Sequence, residues 1–432
     1  MHSNLAAGAR NEGLWDLGRP RWPIHGKLCT KRRENSSASQ RPRTRCQSIR
    51  PPLGQWPLKP KFVQPLRGQR LAVCEAGPLT PDRDAGARAV ADLIEAAREL
   101  GATVAFFDES DGPAGDLVSR LRSFEPTVIV VSRPGLFMRL HPQLGDFAVP
   151  VVYFAHDVHH VRLGLQRQFD SGLGERSVRV MKVVEEYCFR QADLTVFPTP
   201  DEATVVRETY PDAAVTWIRY FAMPVFAEHP LHARSLAAEP NPQEQRLVFV
   251  GSSAHAPNRD GVAWFIETIW PSLRTREEYV RLDVCGAWDP AAAAGLLRDG
   301  ITFHGPVSEG ELSRLMNAAS LGIAPLRFGA GMKRKTLDYL SRGLPVISTD
   351  FGVEGLALDG DGSGAREPIP GVLLCQTPEE WLKEITTVLG DKSRWKQLSI
   401  DGQVFVQKNF SPELYKVDLV RIVTEFALGI RV

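Results

Sequence analysis

Twelve short runs rich in β-branched residues recur between Arg70 and Leu374, nearly all separated by segments of helical character. That alternation restricts the fold more than any other feature of the chain. Parallel strands need crossovers of a dozen or more residues, and helices supply them, so alternating runs predict parallel sheets wound in βα units. Six strands are expected near residues 70–74, 103–107, 127–131, 149–155, 194–197 and 215–218. Helices are expected between them near 87–100, 116–124, 177–191 and 200–209. A polar stretch ending in Glu239-Pro-Asn-Pro-Gln-Glu244 reads as a linker. The alternation then restarts, with strands near 247–250, 282–285, 301–303, 321–324, 346–348 and 372–374.

The expected fold is α/β, with two doubly wound Rossmann-like domains facing a cleft. The first spans 69–222 on the acceptor side; 223–245 links it to the second, at 246–410. A helix in 411–432 is expected to pack back toward the first domain. Ligands of such sheets sit at the carboxyl ends of the strands, which the two domains turn toward one another.

The first 68 residues are a different object. Residues 1–70 hold 15 Lys/Arg against 3 Asp/Glu, whereas the rest of the chain holds 37 against 48. Clusters such as Lys31-Arg32-Arg33, scattered prolines and absent apolar periodicity predict disorder. A transit-like peptide, a basic arm for nucleic acid or anionic membrane, and a segment with no role of its own stay open. Nucleic acid is not the expected partner of the whole. No apolar run reaches the ~18–20 residues of a membrane span. Cys29, Cys46, Cys74, Cys188, Cys285 and Cys375 stand far apart without zinc spacing, which favours a reducing compartment.

Charge then singles out Ala324 to Val346. After a short strand, the loop Phe328–Gly331 leads to an expected helix from Met332 to Arg342 that lacks a Ser, Thr, Asp or Asn cap. Its first turn carries Lys333, Arg334 and Lys335, where backbone N–H groups and the macrodipole are already positive. An anion resolves both conflicts, so Gly329, Ala330, Gly331, Lys333 and Lys335 read as a diphosphate cradle. Solvated lysines beside a turn are the plainer alternative. Asp338, one turn on, can accept from a ribose hydroxyl or form an i,i+3 pair with Lys335. Gly251 and Ser252 approach from a neighbouring strand end, and Asn258 or Asp260 is expected to cap a helix beginning near Gly261. No G-x-G-x-x-G or G-x-x-x-x-G-K-[ST] motif supports a dehydrogenase or P-loop reading.

In the first domain Asp82 and Asp84 are expected to cap the helix at Ala87. With Gly86 they form a patch that repels phosphate and suits sugar hydroxyls or a neutral acceptor. The fourth strand runs into His156-Asp-Val-His-His160. His156 and Asp157 read as a hydrogen-bonding pair lining the cleft, and His159 and His160 as satisfied loop-end histidines; a metal cluster is the alternative.

Four stretches carry a family resemblance: FVGSSAHAPNRDGVAWFIETIWP, ITFHGPVSEGELSRLMNAASLGIAPLRFGAGMKRKTLDYLSRGLPVISTDFGVEGL, LTPDRDAGARAVADLIEAARELGATVAFF and VVYFAHDVHHVRL. They resemble glycosyltransferase family 4, whose glycosyl transferases group 1 domain belongs to the GT-B fold. The resemblance implies transfer of a sugar from a nucleotide-sugar to a glycan, lipid-linked or small-molecule acceptor. It implies retention at the anomeric carbon and no cofactor or metal. The family histidine falls on His156, and base and ribose contacts on Gly305 to Val307. Of the family's E-x7-E pattern, the second acid falls on Asp338, while Ala330 holds the place of the first. Arg259 alone stands for the usual Arg and Lys pair after the domain's first strand. A cytoplasmic enzyme, working free or at the inner face of the membrane, is the expectation. Ala330 motivates an alternative, a catalytically degenerate nucleotide-sugar-binding protein.

Overall fold

The computed structural model describes residues 64–81, 85–111, 116–222, 243–357 and 368–427. Residues 1–63 of the expected disordered segment, the linker core at 223–242, Asp82 and Asp84 lie outside the described residues; residues 64–68 are instead ordered, with Leu66 buried and its N–H donating to Leu100 O at 3.0 Å.

The first sheet comprises β1 (Arg70–Glu75), β2 (Thr103–Asp108), β3 (Val128–Ser132), β4 (Val151–Phe154), β5 (Leu194–Phe197) and β6 (Val215–Trp217). Its helices are α1 (Ala85–Glu99), α2 (Asp116–Phe124), α3 (Pro134–Leu140), α4 (His159–Gln166), α5 (Glu175–Gln191) and α6 (Pro200–Thr209). The second sheet comprises β7 (Gln245–Val250), β8 (Val280–Cys285), β9 (Ile301–Gly305), β10 (Leu321–Ala324), β11 (Val346–Ser348) and β12 (Val372–Leu374). Around it lie α7 (Ala256–Trp264), α8 (Trp270–Arg276), α9 (Pro290–Leu296), α10 (Glu309–Ala318), α11 (Arg334–Ser341), α12 (Pro378–Gly390), α13 (Lys392–Asn409) and α14 (Pro412–Ala427).

All strand pairs are parallel. The first sheet is ordered β2-β1-β3-β4-β5-β6 and the second β12-β11-β10-β7-β8-β9. The order therefore reverses between β1 and β3 in one sheet and between β7 and β10 in the other. Helices diverge to opposite faces at such a point and open a crevice beyond the strand ends. In this chain the crevices open at Glu75 and Ser132 in the first sheet, and at Gly251 and Pro325 in the second.

Both sheets bury two faces, which is why their strands read as nearly continuous apolar runs. Helix α14 supplies one cover for the first sheet: Leu419, Ile422 and Val423 lie against Leu71, Val130, Val152 and Val196. It is fastened by charge as well, with Arg219 Nε 2.6 Å from Asp418 Oδ2 and Lys416 paired with Glu99. Phe221 packs on Tyr415, ring centroids 4.9 Å apart.

Several helix starts follow sequence logic. Thr377 and Glu380 form a reciprocal capping box on α12, and Thr199, Ser308 and Asp391 cap α6, α10 and α13. Helix α4 is closed differently. Its first N–H groups, at His159 and His160, donate to the two oxygens of Glu185 on α5, at 2.7 and 2.8 Å. Two helices aimed at the second crevice, α7 and α11, have no side-chain cap.

Candidate functional site

Helix α7 corrects the sequence expectation. It begins at Ala256, five residues before Gly261, so neither Asn258 nor Asp260 caps it. Asp260 instead takes Arg327, Nε to Oδ2 2.8 Å. Asn258 turns back into the crevice, its amide donating to Ser252 O at 3.0 Å and its carbonyl oxygen accepting from Lys335 Nζ at 2.6 Å. Pro257 near the helix start and a bulky His255 at the cap position hid this boundary, because the apolar periodicity begins only at Val262.

Lys335 is therefore at the centre of the crevice. Its ammonium rests 4.0 Å over the Phe249 ring and has no carboxylate partner among the described residues. Burial drives its pKa well below the ordinary lysine value, and the charge of Lys333 adds to the effect. A Cβ on Gly251 would stand 2.5 Å from the Asn258 amide nitrogen and 3.0 Å from Lys335 Nζ. Only glycine lets the β7 end and these two side chains share that space.

Lys333 behaves differently from the expectation. Helix α11 starts at Arg334, with Lys333 in the cap position. Its ammonium folds back onto Ala330 O (2.9 Å), Gly331 O (2.7 Å) and Glu354 Oε2 (2.9 Å). Three donors thus meet three acceptors, and the charge is already paired. Lys333 shapes the glycine loop rather than offering itself to a ligand. Because peptides are planar and trans, pulling the Ala330 and Gly331 carbonyls toward Lys333 turns the N–H groups of Gly331 and Met332 the opposite way.

The loop also touches the first domain. Gly331 has φ +73°, and a Cβ there would meet His156 O at 2.8 Å and Asp157 Cβ at 2.9 Å. Gly355, at φ +82°, sits equally close to Thr199. Arg334 spans the gap to α1, Nη1 to Asp92 Oδ2 2.5 Å, and Phe169 stacks on Phe328 at 5.0 Å.

Asp338 stands beside Arg334, Nε to Oδ2 3.8 Å, so the expected i,i+3 pairing with Lys335 is replaced by an i,i+4 pairing. Burial raises its pKa against the pull of Arg334 and Arg342. Arg259 is exposed near the start of α7, with no side-chain partner among the described residues. Ser252 donates to Ala287 O at 3.0 Å. Gly305, φ +70°, ends β9 with open space beside it, and Val307 packs on the core nearby. Gly329 lies against the Lys333 stem, and Ala330 brings no polar side chain. Gly86 is inside the first turn of α1, buried, and is not a loop glycine ahead of it.

His156 and Asp157 do not pair with each other. Asp157 binds Arg162, Nε to Oδ2 2.6 Å, and lies 2.9 Å from His159 Nδ1. These two cations hold the Asp157 carboxyl well below the ordinary range despite its burial. Burial lowers the His159 pKa, but Asp157 and Glu185 more than reverse this and carry it to about 10. His160 Nδ1 is 2.7 Å from Glu185, and among the described residues no three His, Cys, Asp or Glu side chains are grouped to hold a metal ion. The histidine cluster is an ionic brace behind the cleft.

His156 turns toward a network the sequence reading missed. Ser132 Oγ lies 2.8 Å from His156 Nε2 and 2.9 Å from Glu75 Oε2, and Arg133 Nε reaches Glu75 Oε1 at 3.1 Å. The signal was present only as polar residues ending two buried strands. Glu202, buried beneath Thr199 and accepting from Val158 N at 3.0 Å, was likewise unseen; burial raises its pKa to about 8.

Two open strand ends, a lysine with no carboxylate partner among the described residues, two helix starts without side-chain caps and a facing histidine meet at the crevice of a two-domain α/β protein. Comparison with known proteins agrees. Residues 244–391 match the family described as glycosyl transferases group 1. An uncharacterized 44.6 kDa protein in the cps region of Klebsiella pneumoniae is 22% identical over 171 residues, which cover 38% of this chain and 42% of that protein. The chain thus matches less than half the length of this relative.

Three solved structures share the architecture. Sucrose-phosphate synthase from Thermosynechococcus elongatus is 16% identical with a TM-score of 0.64, covering 84% of this chain and 100% of that one. WaaG, a glycosyltransferase involved in lipopolysaccharide biosynthesis, is 16% identical with a TM-score of 0.58, covering 82% and 99%. Anabaena HepE, in complex with UDP and glucose, is 12% identical with a TM-score of 0.61, covering 83% and 100%. At such identities the likeness is one of fold. Residues 244–391 thus resemble a glycosyl transferases group 1 domain, and the chain as a whole shares the two-domain GT-B fold of these structures.

Proposed function

We propose that this chain transfers a hexose from a nucleotide-sugar to a glycan, lipid-linked or small-molecule acceptor, with retention and without a metal requirement. The observation that carries the reading is Lys335: a cation pressed toward neutrality by burial, without a carboxylate among the described residues, beside the glycine end of β7 and two uncapped helix starts. A diphosphate there accepts from Lys335, is favoured by the helix dipoles and has Arg259 at its rim. Asp338 takes the ribose, and the base lies toward Gly305 and Val307. The outward N–H groups of Gly331 and Met332 face the sugar where Ala330 brings no carboxylate. His156 lines the opposite wall. The leaving diphosphate oxygen takes the acceptor's proton on the face it departs from, and Lys335 stabilises the charge that develops.

UDP, the ligand named for HepE, is the probe. Calorimetry should detect UDP binding that Lys335→Met weakens at least tenfold; equal affinity in the two proteins would remove the diphosphate assignment. A second reading, a binding protein without turnover, is favoured by Ala330 alone. Nucleoside diphosphate release from a donor panel, with and without acceptors, separates the two, since only the enzyme shows acceptor-dependent release.

Peripheral membrane association is part of the same proposal. Helix α5 exposes Val180 and Val183 on a face shared with Arg176 and Arg179, a composition suited to an anionic lipid surface. Sedimentation with phosphatidylglycerol vesicles tests it, and a Val180→Glu/Val183→Glu variant that sediments equally well would exclude this helix.

A further inference from the structure

The first sheet ends in a hydrogen-bonded chain whose proton order is fixed by chemistry. Glu75, Ser132 and His156 close β1, β3 and β4, which are consecutive neighbours at the reversal of strand order. Glu75 is 6% exposed and Ser132 fully buried. One Glu75 oxygen accepts from Arg133 Nε at 3.1 Å and from Ala76 N at 3.0 Å, so the group is an ionised acceptor. Its other oxygen lies 2.9 Å from Ser132 Oγ. A carboxylate has no proton to give, so the serine must donate, and a serine has only one proton. Ser132 Oγ can then only accept across its 2.8 Å contact with His156, and the proton in that contact belongs to Nε2. The reverse order would set two lone pairs against each other in a water-excluded site, which is costly there.

We infer that Glu75 and Ser132 are positioning residues that hold His156 as its Nε2–H tautomer, with Nδ1 as the acceptor edge. Phe154 meets the imidazole edge-on, centroids 5.6 Å apart at 90°, and restrains its swing. Within the function proposed above, on which this part rests, the fixed tautomer gives the cleft wall at His156 one defined polarity instead of two. The Arg133 backbone, at φ 70° and ψ 126°, is an uncommon conformation for a side-chain-bearing residue, and it occurs where its guanidinium meets Glu75.

The test is long-range 1H–15N correlation on protein labelled at histidine, with the His156 resonance assigned through His156→Gln. At pH 7.5 the Nε2–H pattern is expected in the wild type; an Nδ1–H or averaged pattern would overturn the inference. Ser132→Thr keeps the hydroxyl and should keep the pattern. Glu75→Gln supplies an amide that can donate to the serine, lets the chain invert, and should move the resonance toward the Nδ1–H or averaged pattern. A wild-type pattern in Glu75→Gln would show that the carboxylate does not set the tautomer. These readouts require no turnover. A correct tautomer without glycosyl transfer would sink the proposed function and leave the positioning chain standing.

Discussion

Arg334→Ala removes the guanidinium that joins the two halves of the cleft. Its side chain is 10% exposed and that of Asp92 is 6% exposed, with 2.5 Å between them. Surface ion pairs are worth at most ~1 kcal/mol, but solvent does not screen this one. Breaking a buried pair from one side costs ~3–5 kcal/mol, because the remaining charge stays desolvated. Asp338 also loses its neighbour, but that pairing is long, at 3.8 Å, and the charge of Arg342 remains beside it.

The sign of the pH dependence follows from Asp92. Burial already raises its pKa, and Arg334 opposes the rise. Without the arginine the folded-state pKa climbs further, so the native protein holds a proton that the unfolded chain releases. Stability is then full below the ordinary aspartate pKa and falls as pH rises toward the folded value, by up to ~1.4 kcal/mol per pH unit. Urea unfolding followed by tryptophan fluorescence at pH 5 and pH 8 measures it. Arg334→Ala should lose more at pH 8, and adding Asp92→Asn should recover stability by removing the stranded charge. A loss below ~1 kcal/mol, equal losses at both pH values, or no recovery in the double variant would each refute the reasoning.

Three further outcomes are expected. Gly331→Ala places a Cβ against His156 O at a φ that costs ~1–2 kcal/mol for other residues, so it should destabilise the protein and weaken UDP binding together; an unaffected melting curve would contradict the contact. Binding of UDP at pH values below the ordinary lysine pKa should take up protons, because the anion restores the lowered pKa of Lys335, and calorimetry in buffers of different ionisation enthalpy should lose this uptake in Lys335→Met. Glu202 keeps its proton to about pH 8 when folded and releases it earlier when unfolded, so wild-type stability should decline between pH 5 and pH 8, and Glu202→Gln should flatten that decline.

The local part of this molecule was legible because its causes are local. Buried parallel strands need unbroken β-branched runs, and the expected strands 194–197, 321–324, 346–348 and 372–374 match the structure residue for residue. The uncapped start of α11 could be read from residue types alone. So could the place of His156 at a strand end. Failures occurred where a side chain leaves its own segment. Helix α7 was misplaced because Asn258, a plausible cap, is used 77 residues away by Lys335. Helix α4 has no cap of its own because Glu185 reaches it from α5.

What the sequence alone determined was the architecture and the anomaly: two wound sheets, a cleft between them, and too much positive charge at one helix start. Tertiary structure decided which charge is available. Lys333 and Lys335 are equivalent as residues in a string, two positions apart, yet one folds into three acceptors and the other rests on Phe249 and Asn258 with no carboxylate among the described residues. The difference arises from where Glu354 and the loop carbonyls come to lie. Those contacts exist only after the chain has closed on itself, and no periodicity or capping rule encodes them.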